Sequence, residues 1–191
     1  MKKSFLNTAL ITIAILTLAS TTVVLATQQD QQEVIETAKQ ATIDYPLPYP
    51  GMLPDNKLFI LKKARDRVME FLIADPLKKA EFYLLLSDKR LAMAKTFVDY
   101  NKFDYAKDSL LRAENFYEKA ESNLWKAKSA NKNIDELKSR MLKAGDKHLE
   151  IQETFRKNNT EQFGATLETA NMTITRAMGR IKDYDKNSSD N

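Results

Sequence analysis

The stretch FDYAKDSLLRAENFYEKAESNLWKA, residues 103–127, decides the fold. Its apolar residues recur at intervals of three and then four, and large side chains alternate with small ones: Phe103, Ala106, Leu110, Ala113, Tyr117, Ala120, Leu124 and Ala127. A spacing that averages about 3.5 residues places all of them on one stripe of an α-helix. Because each large side chain can lie over a small one on a neighbouring helix, the alternation favours close helix packing. We call such a stripe a seam.

Three further stretches carry a seam of the same spacing. They are Leu77, Ala80, Leu84, Ser87, Leu91, Ala94 and Val98; Ile134, Leu137, Met141, Ala144, His148, Ile151 and Phe155; and Phe163, Leu167, Ala170, Ile174, Ala177, Ile181 and Tyr184. All five prolines lie between residues 46 and 76, so no proline interrupts the chain beyond them. The sequence therefore predicts an all-α fold, an antiparallel bundle of about five helices. We place the helices at residues 57–74, 76–100, 103–130, 134–157 and 161–185 of a domain at 45–185, with a disordered tail at 186–191.

The N-terminus has the pattern of an export segment. Lys2 and Lys3 precede a stretch without charge from Ser4 to Gln29. Val24-Leu25-Ala26 offers small or neutral residues where a signal peptidase cuts. The apolar part is also near the minimum length for a membrane span. We expect residues 1–26 to be a signal peptide or a retained membrane anchor, and the rest of the chain to be extracytoplasmic, secreted or periplasmic or held at the outer face of the membrane. Polar residues 27–44 are expected to form a flexible tether.

A proline-rich segment precedes the helices. Residues 45–55, YPLPYPGMLPD, alternate prolines with apolar residues, which favours polyproline II geometry. We expect this segment, the strap, to pack on its own domain through Tyr45, Leu47, Tyr49 and Leu53. The alternative is that it serves as a ligand for an aromatic groove on another protein.

The composition excludes several classes of protein. The formal net charge is +4, of which Lys2 and Lys3 supply two, and basic and acidic residues are interspersed, so nucleic-acid binding is not expected. The absence of cysteine excludes disulfides and thiolate chemistry. No glycine-rich phosphate loop and no serine nucleophile motif occurs. The sequence therefore predicts no enzyme and no cofactor.

His148 is the only histidine, and it occupies a seam position. A metal site in a bundle would use Glu-x-x-His pairs, but Gly145 stands three residues before His148 and no second histidine exists. We therefore expect a buried, hydrogen-bonded histidine and no metal. A pH-responsive seam is a further alternative, against which stands the resistance of a buried imidazole to charging.

The residues left for binding lie off the seams. The candidate interaction surface comprises Tyr49, Arg65, Arg67, Lys78, Lys79, Asp88, Arg90 and Trp125. Its charged members flank the junction of the first two helices, and we expect Arg67 and Asp88 to pair and set the angle of the first helix. The off-seam aromatics Phe82, Tyr83, Tyr100, Tyr105, Phe116 and Trp125 are expected to form a second packing face or an exposed binding patch.

The block from Leu47 to Ala94 resembles a known family. Its first half is Pro48-Tyr49-Pro50-Gly51-Met52-Leu53-Pro54-Asp55, then Leu58, Leu61-Lys62 and Arg65-Asp66-Arg67. Its second half is Asp75-Pro76-Leu77-Lys78-Lys79-Ala80-Glu81, then Leu84 and Asp88-Lys89-Arg90-Leu91-Ala92. This order resembles exported bacterial helical proteins classed as domain of unknown function 5667. The resemblance implies an exported helical protein and brings no reaction and no catalytic residues.

These observations predict a bacterial extracytoplasmic helical interaction or structural module. Its partner would be an unknown protein or envelope component, with a membrane contact through residues 4–26 if that segment is retained. The alternatives are an exported chaperone-like or stress-sensing binder, an enzyme of unknown class and a tetratricopeptide-like peptide binder. A large apolar concavity would favour the chaperone, and polar residues converging in a pocket would favour the enzyme. Oligomeric state stays open, since seams also serve intermolecular coiled coils.

Overall fold

The computed structural model describes residues 42–184. Its helices are α1 (Phe59–Leu72), α2 (Pro76–Asp99), α3 (Phe103–Ser129), α4 (Asp135–Asn158) and α5 (Thr160–Asp183). The all-α prediction of about five helices is confirmed. The expected signal peptide or anchor at 1–26, the tether up to residue 41 and the tail at 186–191 lie outside the described residues.

Local side-chain chemistry sets where the helices begin and turn. Asp75 caps α2, because its Oδ1 accepts the backbone N–H of Leu77 at 2.8 Å, and Pro76 occupies the first helical position. Asn101 and Asn131 have φ of 56° and 54°, a left-handed conformation that asparagine tolerates better than most residues. Each therefore permits the tight turn that sends the next helix back along the previous one.

The seams form the core of a bundle built from α2 to α5. Helix α2 packs most extensively along α3, while α5 packs against both α3 and α4. Every seam residue is buried except Leu77, Val98 and Phe103, which are half-buried at helix ends. Helix α1 contributes a single buried side chain, Phe59, and lies outside this bundle.

The strap packs on the bundle through three of the four side chains that the sequence indicated. Tyr45 contacts one apolar cluster of the core, and Leu47 and Leu53 contact the other. The prediction that Tyr49 packs on the domain is wrong, since its side chain is 83% exposed. A polyproline II segment has three residues per turn, so Leu47 and Leu53, which are six residues apart, share one side, whereas Tyr49 falls on another.

The apolar core is divided into two clusters by a polar layer. One cluster contains Tyr117, Met141 and Ile181, and the other contains Phe97 and Phe155. Between them on successive helices lie the buried polar residues Asp88, Glu114, His148 and Gln152, which we call the polar layer.

Candidate functional site

A small number of side chains hold α1 against the bundle. The guanidinium carbon of Arg90 lies 4.9 Å from the centre of the Phe59 ring. Towards the other end of the helix, the Tyr83 hydroxyl donates a 2.6 Å hydrogen bond to Glu70 Oε1, and Lys119 Nζ lies 3.7 Å from the same oxygen. The attachment uses one face of α1, whereas the apolar side chains of the opposite face are exposed.

That opposite face carries large apolar side chains. Phe71 is 86% exposed and Ile60 is 70% exposed. With 3.6 residues per turn, one group of exposed residues lies on the side of the helix away from Phe59. It comprises Ile60, Leu61, Ala64, Val68, Phe71 and Leu72, which we call the outward stripe. An amphipathic helix on a globular protein usually turns such a stripe towards the core, so α1 has the reverse orientation.

Basic side chains border the outward stripe, whereas the acidic side chains of α1 turn away from solvent. The side chains of Arg65 and Arg67 are 64% and 80% exposed, against 15% for Asp66 and 23% for Glu70. Asp66 Oδ1 accepts a 2.6 Å hydrogen bond from Arg65 Nη2. Two lysines near the start of the helix, Lys57 and Lys63, are exposed as well. The outward surface of α1 is therefore apolar and basic.

Lys62 joins α1 to the strap. Its Nζ donates hydrogen bonds to the carbonyl oxygens of Pro50 at 3.0 Å and Met52 at 3.3 Å. Gly51 between them has φ of +70°, which glycine adopts without steric cost. Burial, and after it the nearby Arg90, lowers the pKa of Lys62 to about 8. The strap thus fixes the start of α1 through a lysine that loses charge readily.

Shallow grooves flank the two ends of α1. One of about 510 Å³ is lined by Arg67, Val68, Glu70, Phe71 and Lys79. The other, of about 390 Å³, is lined by Pro50, Gly51, Met52, Leu58, Leu61, Lys62, Arg65 and Lys89. Both join apolar side chains to basic ones.

The polar layer is a continuous hydrogen-bonded group inside the bundle. His148 Nδ1 lies 3.1 Å from both carboxylate oxygens of Glu114, and His148 Nε2 lies 3.2 Å from Asp88 Oδ1. Gln152 Nε2 donates to Glu114 Oε1 at 2.9 Å, and the Tyr45 hydroxyl donates to Asp88 Oδ2 at 2.6 Å. A neutral imidazole has one N–H donor and a charged one has two, so the doubly protonated ring satisfies both carboxylates.

The expectation of a buried, hydrogen-bonded His148 is confirmed, but the two carboxylates beside it oppose the argument that burial keeps the ring neutral. Burial lowers the pKa of His148, but the carboxylates of Glu114 and Asp88 outweigh burial and raise it to about 9. A buried imidazole resists charging only where no anion faces it. Here two anions face the ring from α2 and α3.

The polar layer offers little access for a reactant. His148 is fully buried, and Glu114 and Asp88 are 1% and 4% exposed. The groove that reaches Asp88 is lined by Tyr45, Glu81, Leu84, Leu85, Asp88 and Arg140. Both oxygens of Asp88 are already engaged there, by Tyr45 and His148. Among residues 42–184, no group of three histidine or carboxylate side chains could hold a metal ion.

A separate groove of about 680 Å³ lies between α3 and α5. It is lined by Glu118, Glu121, Ser122, Trp125, Arg180, Asp183 and Tyr184. Arg180 is paired with both Glu118 and Glu121, and the Tyr184 hydroxyl donates to Glu121 Oε1 at 2.7 Å. Trp125 is half-exposed, and its ring centre lies 5.1 Å from that of Tyr184. The charges of this groove are largely neutralised by their own neighbours.

Comparison with protein families gives one finding. The family described as "Domain of unknown function (DUF5667)" matches residues 51–168. The chain belongs to this family. Comparison with curated proteins and with solved structures gives no significant match. No helix in the described part of the DUF5667 chain is both long and apolar enough to cross a membrane.

The DUF5667 match includes α1 and all four residues of the polar layer, but not Tyr45 or Tyr49. Of the candidate residues from the sequence, the structure places Arg67 and Lys79 in one groove beside α1 and Arg65 in the other. Lys78 is exposed in the first turn of α2, Tyr49 is exposed on the strap, and Trp125 lies in the separate groove.

Two residues of the candidate interaction surface, Asp88 and Arg90, are buried. Asp88 belongs to the polar layer and not to the surface, so the expected pair with Arg67 is wrong, and Arg67 pairs with Glu70 at 3.4 Å. Arg90 is 9% exposed because it lies against Phe59 beneath α1. Both side chains therefore stabilise the fold from inside.

Sequence reasoning missed Glu114, Gln152 and the role of Tyr45. Glu114 and Gln152 lie off the seams, where polar residues usually face solvent. A signal was nevertheless present: Asp88 and Glu114 each directly follow a small seam residue, Ser87 and Ala113, which leaves room beside the histidine of a third seam.

Proposed function

We propose that this DUF5667 protein is a non-enzymatic interaction module that acts outside the cytoplasm and docks through α1. One observation carries the proposal. Helix α1 buries one side chain, Phe59, and exposes six large apolar ones. Monomeric soluble proteins seldom expose a continuous apolar patch of this kind without an interaction partner.

The polar layer supports a non-enzymatic function. Its carboxylates and imidazole bind one another and are sealed between two apolar clusters. A catalytic acid or base needs hydrogen-bond reach to a substrate. Substrate entry would require opening the bundle at its centre, so we assign these residues to the fold.

The shape of the apolar surface favours a defined partner over unfolded chains. A chaperone-like binder needs a broad apolar concavity, whereas the outward stripe is a convex ridge along one helix. The grooves beside it are small and lined with charged side chains. This arrangement suits a partner whose surface accepts the amphipathic helix α1 lying along it.

The location outside the cytoplasm draws support from the sequence. A pattern typical of export occurs at the N-terminus, where Lys2 and Lys3 precede an uncharged segment that extends to Gln29. Five residues of the block that resembles exported helical proteins lie in α1, namely Leu61, Lys62, Arg65, Asp66 and Arg67. Leu61, Arg65 and Arg67 among them are exposed.

The test is site-specific photocrosslinking in native cells. A benzophenone amino acid at Val68 or Phe71, both on the outward stripe, is expected to give adducts. The same group at Lys143, exposed on α4, is the matched control and is expected to give none. Adducts of any chemical class at the stripe alone support docking through α1. Their absence, or equal labelling at Lys143, would contradict it.

A further inference from the structure

The composition of the α1 surface is that of a helix lying on a lipid interface. Such helices combine an apolar face with basic residues at its borders and lie in the plane of the headgroups. The outward stripe has this composition: Ala64 and Val68 lie near its centre line, and Arg65 and Arg67 stand on its two sides. Both arginine side chains are more than half exposed.

The direction of the acidic side chains decides the charge of this surface. Asp66 and Glu70 are the acidic residues of α1, and both face the bundle or a neighbouring cation. The side of α1 that faces away from the protein therefore presents basic charge alone. Basic residues near a membrane are attracted to anionic lipids, and each contributes to binding.

We propose that α1 lies in the interface of a membrane that contains anionic lipids. The outward stripe enters the boundary between headgroups and acyl chains, while Arg65 and Arg67 contact lipid phosphates. This inference rests on the proposed docking role of α1 and names the partner as a lipid surface. It goes beyond the expected contact of residues 4–26, because it concerns a helix of the folded domain.

A second copy of the chain fits this surface less well. In an antiparallel two-fold pairing of α1, residues near the middle of the helix face their own copies. The helix runs from Phe59 to Leu72, so its middle lies between Arg65 and Asp66. The two exposed arginines would then stand against the arginines of the other copy, while Asp66 is engaged by Arg65 of its own chain.

The experiment measures how deeply α1 enters the lipid, using the full chain. Because the chain contains no cysteine, one environment-sensitive fluorophore can be attached at Val68→Cys. Residues 4–29 are uncharged and can hold the chain on vesicles by themselves, so the depth of the label is recorded and not mere binding. Vesicles are made of phosphatidylcholine alone, or with about a third of phosphatidylglycerol.

With anionic vesicles, we expect a blue shift of the label at residue 68 and quenching by lipids that carry a nitroxide on the acyl chain. The label at Lys143→Cys is expected to stay in water. Added salt should weaken the signal, since it screens attraction to the headgroups.

A charge reversal separates this mechanism from simple apolar contact. Arg65→Glu with Arg67→Glu is expected to lower partitioning of α1 into anionic vesicles by at least about tenfold. Arg156→Glu with Lys157→Glu is the matched control, because these two residues are also exposed on a helix and paired with an acid, Glu153. Phe71→Ser leaves the charge unchanged and should reduce the depth that the label at residue 68 reaches in both kinds of vesicle.

Several outcomes would overturn the lipid assignment. They are a label that stays in water with both vesicles, an equal response to neutral vesicles, and an equal loss in the control pair. Shielding of the label without vesicles would indicate cover by the chain's own residues, and shielding that grows with protein concentration would indicate a second copy. Cover by the chain's own residues would also contradict docking through α1. In the other cases crosslinks from the stripe to a protein in cells would still support docking of α1, whereas loss of those crosslinks too would remove the proposed function.

Discussion

Gly145 allows α4 to approach its neighbours closely. A Cβ placed on Gly145 would lie 2.5 Å from Met178 Sδ on α5 and 2.9 Å from the Tyr117 hydroxyl on α3. Contacts under 3.0 Å do not occur for real Cβ atoms, so the neighbours would have to move. The Tyr117 hydroxyl is not free to do so, because it donates a 2.7 Å hydrogen bond to the carbonyl of Met141.

We expect Gly145→Ala to lower the free energy of unfolding by about 1–3 kcal/mol, the usual cost of overpacking a core. Gly179→Ala on α5 is the matched control, since its Cβ would meet nothing within 4 Å. There the better helix propensity of alanine should raise stability by roughly 0.5–1 kcal/mol. Urea unfolding of both variants measures the difference. Equal effects at the two glycines would mean that the close approach at Gly145 is not a constraint.

At the scale of a residue, the sequence did not predict that two carboxylates face His148. Asp88 stands 13 residues before Asn101 and Glu114 stands 12 residues after Lys102, so the hairpin brings them to matching depths. Charged residues beside a seam are nevertheless usually solvated. Only the position of a third helix, α4, shows that both face an imidazole. Periodicity along one helix contains no information about the charge opposite a residue.

At the scale of the element, α1 is amphipathic, and the sequence could not show whether its apolar face turns towards the bundle or towards solvent. The four seams of α2 to α5 could be predicted because each needs a partner helix and the chain supplies four of them. A stripe on a fifth helix has no partner left. Whether it faces the bundle or solvent depends on which face forms the stronger local contacts, here those of Phe59 and Glu70.

We expect Phe59→Ala to loosen α1 while the bundle stays folded. Phe59 is the only side chain of α1 in the core, so its loss removes most of the apolar contact that holds the helix. Local opening then becomes more favourable, and the amides of α1 should exchange hydrogen at least about tenfold faster, which corresponds to about 1.4 kcal/mol. Hydrogen exchange read by mass spectrometry on peptides of α1 and α3 measures this.

Phe71→Ala provides the control for that experiment, because Phe71 has the same side chain on the same helix but is 86% exposed. Exchange in α1 should then stay close to that of the unchanged protein. Accelerated exchange in α3 as well as α1 after Phe59→Ala would show that α1 is an integral part of the bundle and contradict its attachment as a separate element.

At the scale of the whole molecule, the polar layer fixes how four elements fit together. Asp88 on α2, Glu114 on α3 and His148 on α4 meet only in one register, and Tyr45 adds the strap to the same group. A slip of one helical turn would leave a buried charge without its partner, which costs several kcal/mol. The apolar seams alone repeat along each helix and discriminate less between registers. The polar layer thus selects one arrangement among those that the seams permit.

The same layer links the stability of the molecule to pH. The folded-state pKa of His148, about 9, is above its ordinary value of 6.5, so the folded state binds the proton more tightly. The stabilisation is fully present below pH 6.5 and is lost as the pH rises through 9. On the acid side, the hydrogen bond from Tyr83 lowers the pKa of Glu70. For Glu150, burial acts the other way, but Lys147 and the Ile43 amide still lower its pKa. These two contributions are present above about pH 4.5 and are lost in acid.

We therefore expect the contribution of His148 to the unfolding free energy, taken as the difference between the unchanged chain and His148→Gln, to be largest below pH 6.5 and to fall by on the order of 3 kcal/mol towards pH 9. The lowered pKa of Lys62, about 8, acts in the opposite direction because the unfolded state keeps that proton to a higher pH, and it cancels in this difference. Urea unfolding across this range measures it, and the only imidazole resonance of the chain, followed by NMR, reports the titration directly. In His148→Gln the alkaline decline should disappear, although the whole curve lies lower because two buried carboxylates lose their cation. An imidazole that titrates at or below pH 6.5, or an equal alkaline decline in His148→Gln, would mean that the layer holds a neutral ring. The register would then depend on hydrogen bonds without a charge.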